Sequence, residues 1–329
     1  MTTPPSPDTL AGAHDALVCD IDGVVVAGPT AIDHAVDVLN ALSIPVVFAT
    51  NNASRTPPAV GKHLRAHGVV VEDDQVLTSS LAAARELAAR LPAGAEVMAV
   101  GGEGVSASLR AEGLTPVTKG EPAAVLQGYG PDVTATDLAE AAHAVRAGAA
   151  WVATNTDRTL PTDRGPAPGN GALVAAVRSC VDVDPEVIGK PHPPMYRLAA
   201  SALGASTDRV LAVGDRLETD IEGAVATGMP GVLVLTGVHG LADAAAAPVE
   251  RRPTYVIADL RGLLQPYPPA RTEGAWCLRG DAGARVVDGR LEVRGEGPDA
   301  DRAALDALWA AVDGGLLDEG QAGLAMTSR

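Results

Sequence analysis

Residues 16–25 read Ala-Leu-Val-Cys-Asp-Ile-Asp-Gly-Val-Val, a four-residue apolar run ending in two acids and a glycine. A short run with no polar alternation reads as a strand buried on both faces, as in parallel sheets. Downstream, Ile32–Leu42 has helical spacing of apolar residues, and the β-rich Pro45–Ala49 (PVVFA) ends at Thr50-Asn51-Asn52. Pro57–His67 reads as a helix, with proline in its first turn and Gly68 after its end. Strand, helix, strand, helix at this spacing predicts a parallel α/β sheet. The rhythm returns late in the chain. Arg209–Val213 (RVLAV) runs into Gly214-Asp215, Thr219–Thr227 is a helix closed by Gly228, and Gly231–Leu235 and Thr254–Ile257 read as strands. Both groups carry their polar residues just after a strand, where open α/β sheets bind ligands.

Between them lies a second alternation: helix Leu81–Leu91, strand Glu96–Val100, helix Val105–Ala111, strand Ala123–Gln127, helix Asp137–Ala147, strand Ala150–Ala153 and helix Ala172–Arg178. The expected organisation is a core over 15–79 and 187–265, with an α/β domain inserted at 80–186. From Pro266 the run QPYPPARTEG reads as a linker. After it, Trp276–Arg279, Ala284–Val287 and Arg290–Arg294 suit a small sheet, with Asp288-Gly289 as a hairpin turn. Asp301–Val312 is amphipathic. This α+β extension spans 266–329. The last dozen residues are expected to fray, and the Pro- and Thr-rich residues 1–14 to form a loose tail.

Composition narrows the function. The 329 residues are 47% hydrophobic, enough for a sizeable core, but only 2% aromatic, so stacking platforms for bases are poorly supplied. Lys plus Arg is 25 against 41 Asp plus Glu, a formal charge of −16, which argues against nucleic acid and anionic lipid as partners. Cys19, Cys180 and Cys277 are far apart with no CxxC, which fits a reducing cytoplasm and reads as three small buried apolar residues. No secretory leader and no apolar run long enough to span a membrane is evident, so a cytoplasmic location is expected. GGEGVS at 101–106 is not GxGxxG and reads as a turn.

Four constellations carry chemistry. Asp20 and Asp22 leave one strand end; they suit a nucleophile with a general acid, hard ligands for Mg²⁺, or a plain polar turn in which Gly23 supplies the bend. Thr50-Asn51-Asn52 offers a hydroxyl and backbone amides to phosphate oxygens, or forms an ordinary turn. Lys190, between Gly189 and Pro191, suits a phosphate as a point charge, or is a surface lysine. In GDRLETDIEGA, Asp215 at a strand end is a third carboxylate for a metal. Asp220 either caps the next helix or supports that metal.

The order and placement of these motifs, with DIDGVV, TNNASR, ATNTDRTLPTDRG, GNGALVAAV, GKP, GDRLETDIEGA and VLTGV, resemble the haloacid-dehalogenase (HAD) phosphatase superfamily. They are most similar to its class IIA, whose large cap lies between the second and third motifs. The 140 residues from Thr50 to Lys190 leave room for that cap. Within the class, the closest similarity is to members acting on glycerol 3-phosphate, which carry an added acetyltransferase-like (GNAT-like) tail. The resemblance implies a Rossmann-like parallel-sheet core with an inserted α/β cap of the class IIA type. It implies Mg²⁺-dependent hydrolysis of a small phosphomonoester, glycerol 3-phosphate first, with 2-phosphoglycolate, a nucleotide, a sugar phosphate or pyridoxal phosphate as alternatives. On this resemblance Asp20 attacks phosphorus and Asp22 is the acid and base. Gly23, Thr50, Asn51, Asn52 and Lys190 hold the phosphate. Asp20, Asp22 through its carbonyl, and Asp215 hold Mg²⁺, with Asp220 in support. Asn155, Asp157 and Arg164 are the polar cap residues that could read the leaving group, or stabilise the cap internally; Asn155 is the favoured contact, and Trp151 reads as core. The second acid argues against dehalogenation, since a halide leaves without a proton, and no DKTGT run of the ATPase branch occurs. A mutase and a non-catalytic phosphometabolite sensor are the competing classes. The extension is too short for a working acetyltransferase and lacks a pyrophosphate loop, and it leaves room for a homo-oligomer formed through the cap or the extension.

Overall fold

The apolar run that opens the chemistry is strand β1 (Ala16–Cys19), buried along its whole length in the computed structural model, which describes residues 8–162 and 164–329. After it come a small hairpin of β2 (Val26–Ala27) and β3 (Thr30–Ala31), helix α1 (Ala35–Ala41) and strand β4 (Val46–Thr50). Helix α2 (Pro57–Ala66), strand β5 (Val76–Thr78) and helix α3 (Ser79–Ala88) follow, then β6 (Glu96–Val100), α4 (Glu103–Ala111) and β7 (Thr115–Val117). The middle continues with β8 (Ala124–Gln127), α5 (Ala135–Arg146), β9 (Ala150–Ala153), the pair β10 (Thr159–Thr162) and β11 (Gly165–Pro168), α6 (Asn170–Arg178), β12 (Glu186–Val187) and α7 (Pro193–Leu203). The last third holds β13 (Val210–Gly214), α8 (Glu222–Thr227), β14 (Gly231–Val234), α9 (Leu241–Ala245) and β15 (Tyr255–Ile257). It ends in β16 (Arg271–Glu273), β17 (Trp276–Arg279), β18 (Ala282–Val287), β19 (Arg290–Arg294), α10 (Pro298–Asp313) and α11 (Glu319–Thr327).

These elements form two bodies, one from the chain up to Val46 and again from Leu203 onward, the other from Val47 to Ala202. In the first body β15, β14, β13 and β1 lie side by side, all parallel, with Cys19 opposite Val213 and Gly214 opposite Leu233. The extension is a four-stranded antiparallel sheet in the order β16-β17-β18-β19. It is not a separate globule. Leu233 of β14 and Ala244 of α9 share one apolar core with Ala284 of β18, Leu305 and Leu308 of α10, and Met326 of α11. Alanines at 303, 304 and 307 let α10 lie close to the sheet, which is how a chain with few aromatics still fills its core.

The second body holds the parallel pair β4–β5 and a five-stranded parallel sheet in the order β12-β9-β8-β6-β7. Side-chain caps begin three of its helices: Thr56 accepts from the Ala59 amide, Thr78 from Leu81, and Thr134 from Asp137. Met98, Val125, Trp151 and Val177 lie in its core, and the Trp151 indole donates to Gln127 Oε1 at 3.0 Å. Trp151 is therefore a core residue, as expected.

Three expectations are corrected. Residues 8–14 are not loose: the amides of Leu10 and Ala11 donate to the carbonyls of Gln265 and Leu263, and both side chains are buried. The remainder of the expected tail, residues 1–7, lies outside the described residues, as does Asp163 of the ATNTDRTLPTDRG run. The C-terminal dozen does not fray; α11, opened by an Asp318–Gln321 capping box, packs on α9. There Gly323, with no side chain, lies close against Ala246. Cys180 is exposed and Cys277 only half-buried, so of the three cysteines only Cys19 is a buried one. Among the described residues no helix is long and apolar enough to cross a membrane.

Candidate active site

In the first body, pairing of β1 with β13 sets two acidic strand ends side by side. Asp20 donates its amide to the Val213 carbonyl at 2.9 Å, so the chain leaves β1 level with Gly214-Asp215. Asp215 turns back against loop 236–239: its Oδ2 accepts the Val238 amide at 2.8 Å and its carbonyl the His239 amide at 3.1 Å. Leu217–Ile221 form a single wide π turn before α8, a form frequent at functional sites. Asp220 in that turn accepts the Arg216 amide on Oδ2 at 3.1 Å, which closes the turn on itself, while α8 starts without a side-chain cap. Asp20, Asp215 and Asp220 are all buried, with one carboxylate oxygen from each within 4.8 Å of the others.

Asp22 stands apart from these three. The Ile21 carbonyl accepts the amides of Val24, Val25 and Val26, and Gly23 donates to Val26 at 2.8 Å. This coil needs a positive φ of 85° at Gly23 and leaves Asp22 exposed. A carboxyl held at a strand end and open to solvent can exchange protons.

Three buried carboxylates at this spacing repel one another, and a hard divalent cation relieves the repulsion. Oxygen-only donors suit Mg²⁺ or Ca²⁺ rather than softer metals. The packing around them also fits a held cation. A methyl group on Gly23 would stand 2.2 Å from Asp215 Oδ2, and one on Gly237 2.0 Å from it, so the carboxylate is seated in a cradle only glycine allows.

The second body collects the other predicted residues. Thr50 ends β4, buried, and its Oγ1 accepts the Asn52 amide at 3.0 Å; Asn52 Oδ1 in turn accepts the Ser54 amide and hydroxyl. The Asn51 amide grips Lys190 by its backbone, accepting from Lys190 N at 2.9 Å and donating to Lys190 O at 3.0 Å. Asn51 also donates to Asp157 Oδ2 at 3.2 Å. Lys190, at the cis Lys190–Pro191 peptide, is 5% exposed and so is not a surface lysine. Ser79 Oγ and Asn155 Nδ2 both donate to the Asn51 carbonyl, at 2.7 and 2.8 Å.

Asn155 was expected to meet a ligand. Both ends of its amide are engaged internally, since Oδ1 also accepts the Asp157 amide at 3.1 Å. Those bonds fit the alternative reading, internal stabilisation. Arg164 stands exposed on the β10–β11 turn. The 101–106 run is a turn into α4, as expected, with Gly102 at its N-cap. Residues 236–239 carry no site role in the sequence reading, although VLTGV ends a strand as the other motifs do; that shared placement is the available signal.

Comparison with known proteins places this geometry. Family models described as haloacid dehalogenase-like hydrolase and HAD-hydrolase-like match residues 17–115 and 187–263. The chain is 42% identical over 312 residues to the D-glycerol 3-phosphate phosphatase of Mycobacterium tuberculosis, covering 92% of this chain and 88% of the relative. The chain belongs to the haloacid-dehalogenase-like hydrolases. Within that family it is also 36% identical over 250 residues to the acid sugar phosphatase of Staphylococcus aureus, covering 75% of this chain and 95% of that one. Among solved HAD structures, the M. tuberculosis glycerol phosphate phosphatase in complex with magnesium superposes with a TM-score of 0.84 at 41% identity, covering 92% of this chain and 93% of that one. The p-nitrophenyl phosphatase from Archaeoglobus fulgidus gives 0.72 at 31% identity, covering 76% and 98%.

Proposed function

We propose that this HAD hydrolase is a Mg²⁺-dependent phosphomonoesterase whose substrate is glycerol 3-phosphate. The observation that carries the reading is the buried triad Asp20, Asp215 and Asp220 at adjoining strand ends, in a chain this similar to a D-glycerol 3-phosphate phosphatase.

Asp20 attacks phosphorus, and the bond to the leaving oxygen breaks as Asp22 donates a proton to the departing alkoxide. Asp22, now a carboxylate, takes a proton from water, which attacks the aspartyl-phosphate and releases inorganic phosphate, restoring Asp20. The two-step route turns one difficult displacement into two easier ones. Lys190 neutralises phosphoryl charge, and Thr50 with the Asn51 region holds the phosphoryl oxygens. Mg²⁺, held by the Asp20 and Asp215 carboxylates and the Asp22 carbonyl with Asp220 in support, supplies Lewis-acid stabilisation of that charge when bound. The preference for a small polyol ester is supported by the scarcity of aromatic rings on which a base or pyridine could stack.

The same reading divides the chain into core (15–79 and 187–265), cap (80–186) and an extension (266–329) of GNAT-like ancestry that serves packing or assembly. It sets the enzyme in the cytoplasm with a soluble phosphometabolite, not nucleic acid or a membrane, as its partner. The test is inorganic-phosphate release from glycerol 3-phosphate, 2-phosphoglycolate, a sugar phosphate, a nucleotide and pyridoxal phosphate, with and without Mg²⁺. Glycerol 3-phosphate is expected to give the highest kcat/KM, and Asp20→Asn to abolish release. Full release by Asp20→Asn would overturn the nucleophile assignment.

A further inference from the structure

The run Val234–Val238 (VLTGV) has no role in the chemistry above, yet it and the following His239 bond to the loop after β1 and to the loop after β13. Strand β14 ends at Val234, and the segment that follows crosses the ends of β1 and β13. Thr236 Oγ1 donates to the Gly23 carbonyl at 2.8 Å, tying together segments 213 residues apart. Gly23 is the residue after Asp22 and the one whose positive φ shapes that coil. One residue on, the Cα of Gly237 lies so close to Asp215 that a methyl group would stand 2.0 Å from Oδ2 and 2.5 Å from Cγ. Val238 donates its amide to the same Oδ2, and His239 its amide to the Asp215 carbonyl. His239 Nδ1 then accepts the Leu217 amide at 3.1 Å, at the start of the π turn that carries Asp220.

We infer that Thr236–His239 is a clamp of positioning residues that sets the Asp22 coil, the Asp215 rotamer and the Asp220 turn together. None of the four is assigned a contact with substrate. Their effect runs through backbone groups and one carboxylate oxygen. The inference rests on the phosphatase reading, and the bonds divide its work in two. Thr236 acts on the coil that carries the general acid, whereas Gly237 and Val238 act on the carboxylate offered to the cation. Hydrogen-bond partners one step removed from a metal or reacting group are commonly worth 10–100-fold in metal affinity or activity.

The experiment compares Thr236→Val, which keeps shape but removes the donor, with Thr236→Ser, which keeps the donor, and with Gly237→Ala. For each, phosphate release gives kcat and KM, calorimetric titration with Mg²⁺ gives cation affinity, and thermal unfolding reports folding. Thr236→Val is expected to lower kcat about 10–100-fold, with a smaller loss of Mg²⁺ affinity than Gly237→Ala shows, and Thr236→Ser to restore most of the rate. Gly237→Ala is expected to weaken Mg²⁺ binding by a similar factor. An unchanged kcat in Thr236→Val, an equal loss in Thr236→Ser, or unaltered Mg²⁺ affinity in a folded Gly237→Ala each overturns the clamp. If Gly237→Ala does not fold, the Thr236 pair decides. The calorimetric arm does not depend on turnover. A chain that binds Mg²⁺ normally but releases no phosphate from any ester overturns the phosphatase reading, while the effect of Gly237→Ala on cation binding still judges the clamp.

Discussion

Leu308→Ala tests whether the C-terminal extension and the acidic site share one cooperative body. Leu308 is fully buried on α10, in the core that also contains Leu217 and Ile221, which bracket Asp220 in the π turn. Several of its companions in that core are alanines, at 244, 245, 303, 304, 307 and 322, which have no side chain beyond Cβ to swing into a vacated space. The cavity therefore persists, and the cost belongs in the upper part of the Leu→Ala range of about 2–5 kcal/mol. Taking about 3 kcal/mol as a floor, and roughly 2–4 °C per kcal/mol for a body of this size, the midpoint falls by roughly 6–12 °C. The assay is far-UV circular dichroism on heating, in parallel with phosphate release retained after brief heating at each temperature. Both midpoints are expected to move down together. Leu324→Ala is the control: at 69% exposure it is expected to change stability by less than about 0.5 kcal/mol. The reasoning is refuted if Leu308→Ala produces an early transition of small amplitude while the main transition and the loss of activity stay in place.

Further outcomes are open to measurement. Burial holds the His14 imidazole below its usual pKa, although its hydrogen bond with the Leu10 carbonyl opposes the shift. The unfolded chain then binds the proton more readily. The contribution of His14 to stability is complete above about pH 6.5 and is lost as the pH falls below it towards the folded-state value, so unfolding midpoints at pH 7.5 and 5.5 are expected to differ less in His14→Gln. Trp151→Phe removes the bond to the buried Gln127 Oε1 and is expected to cost about 1–3 kcal/mol in denaturant unfolding, much of it recovered by adding Gln127→Met. Saturating Mg²⁺ is expected to raise the thermal midpoint, equivalent to about 2.7 kcal/mol at a hundred times Kd, with EDTA reversing the shift and Asp215→Asn abolishing it.

Most of the parallel strands were legible in the sequence as apolar runs between turn residues, whereas the short β5, β7 and β12, two of which carry Pro116 and Glu186, were not. β1, β13, β14, β6 and β9 fall within about a residue of where their composition puts them. What was not legible depends on partners. The β10–β11 pair contains Pro161, Pro166 and Pro168, which disguise a strand, and it exists by pairing only with itself. α11 has almost no amphipathic signal; Ala322 and Met326 are its seam, which gains meaning only with α9 in place. Residues 8–14 look like a tail until Leu263 and Gln265 offer them carbonyls. Asn155 looked like a free amide facing a ligand for the same reason: the groups that consume it, the Asn51 carbonyl and the Asp157 amide, are set by the fold and not by neighbouring letters.

The acids themselves were the easy part of the site; the space around them was not. The sheet register fixes which backbone atoms are adjacent, with Cys19 beside Val213 and Gly214 beside Leu233. Three strand-end loops then converge on a few ångströms, and side chains on all of them cannot fit. The structure resolves this by omission. A methyl group on Gly23 or Gly237 would overlap the Asp215 carboxylate, and one on Gly214 would stand 2.1 Å from Asp220 Cβ. Of the three, only Gly23 has the positive φ that by itself favours glycine. At Gly214 and Gly237 the requirement is close approach, and it becomes visible only after Asp215 and Asp220 have been placed. The carboxylates are thus held as much by the Cβ atoms missing around them as by the hydrogen bonds they accept. A conservative Gly→Ala change at any of these strand ends must displace a buried acid or a backbone segment: at Gly214 and Gly237 the contacts reach the Cβ of the acid, and at Gly23 they fall on a carboxylate that is buried and already accepts the Val238 amide.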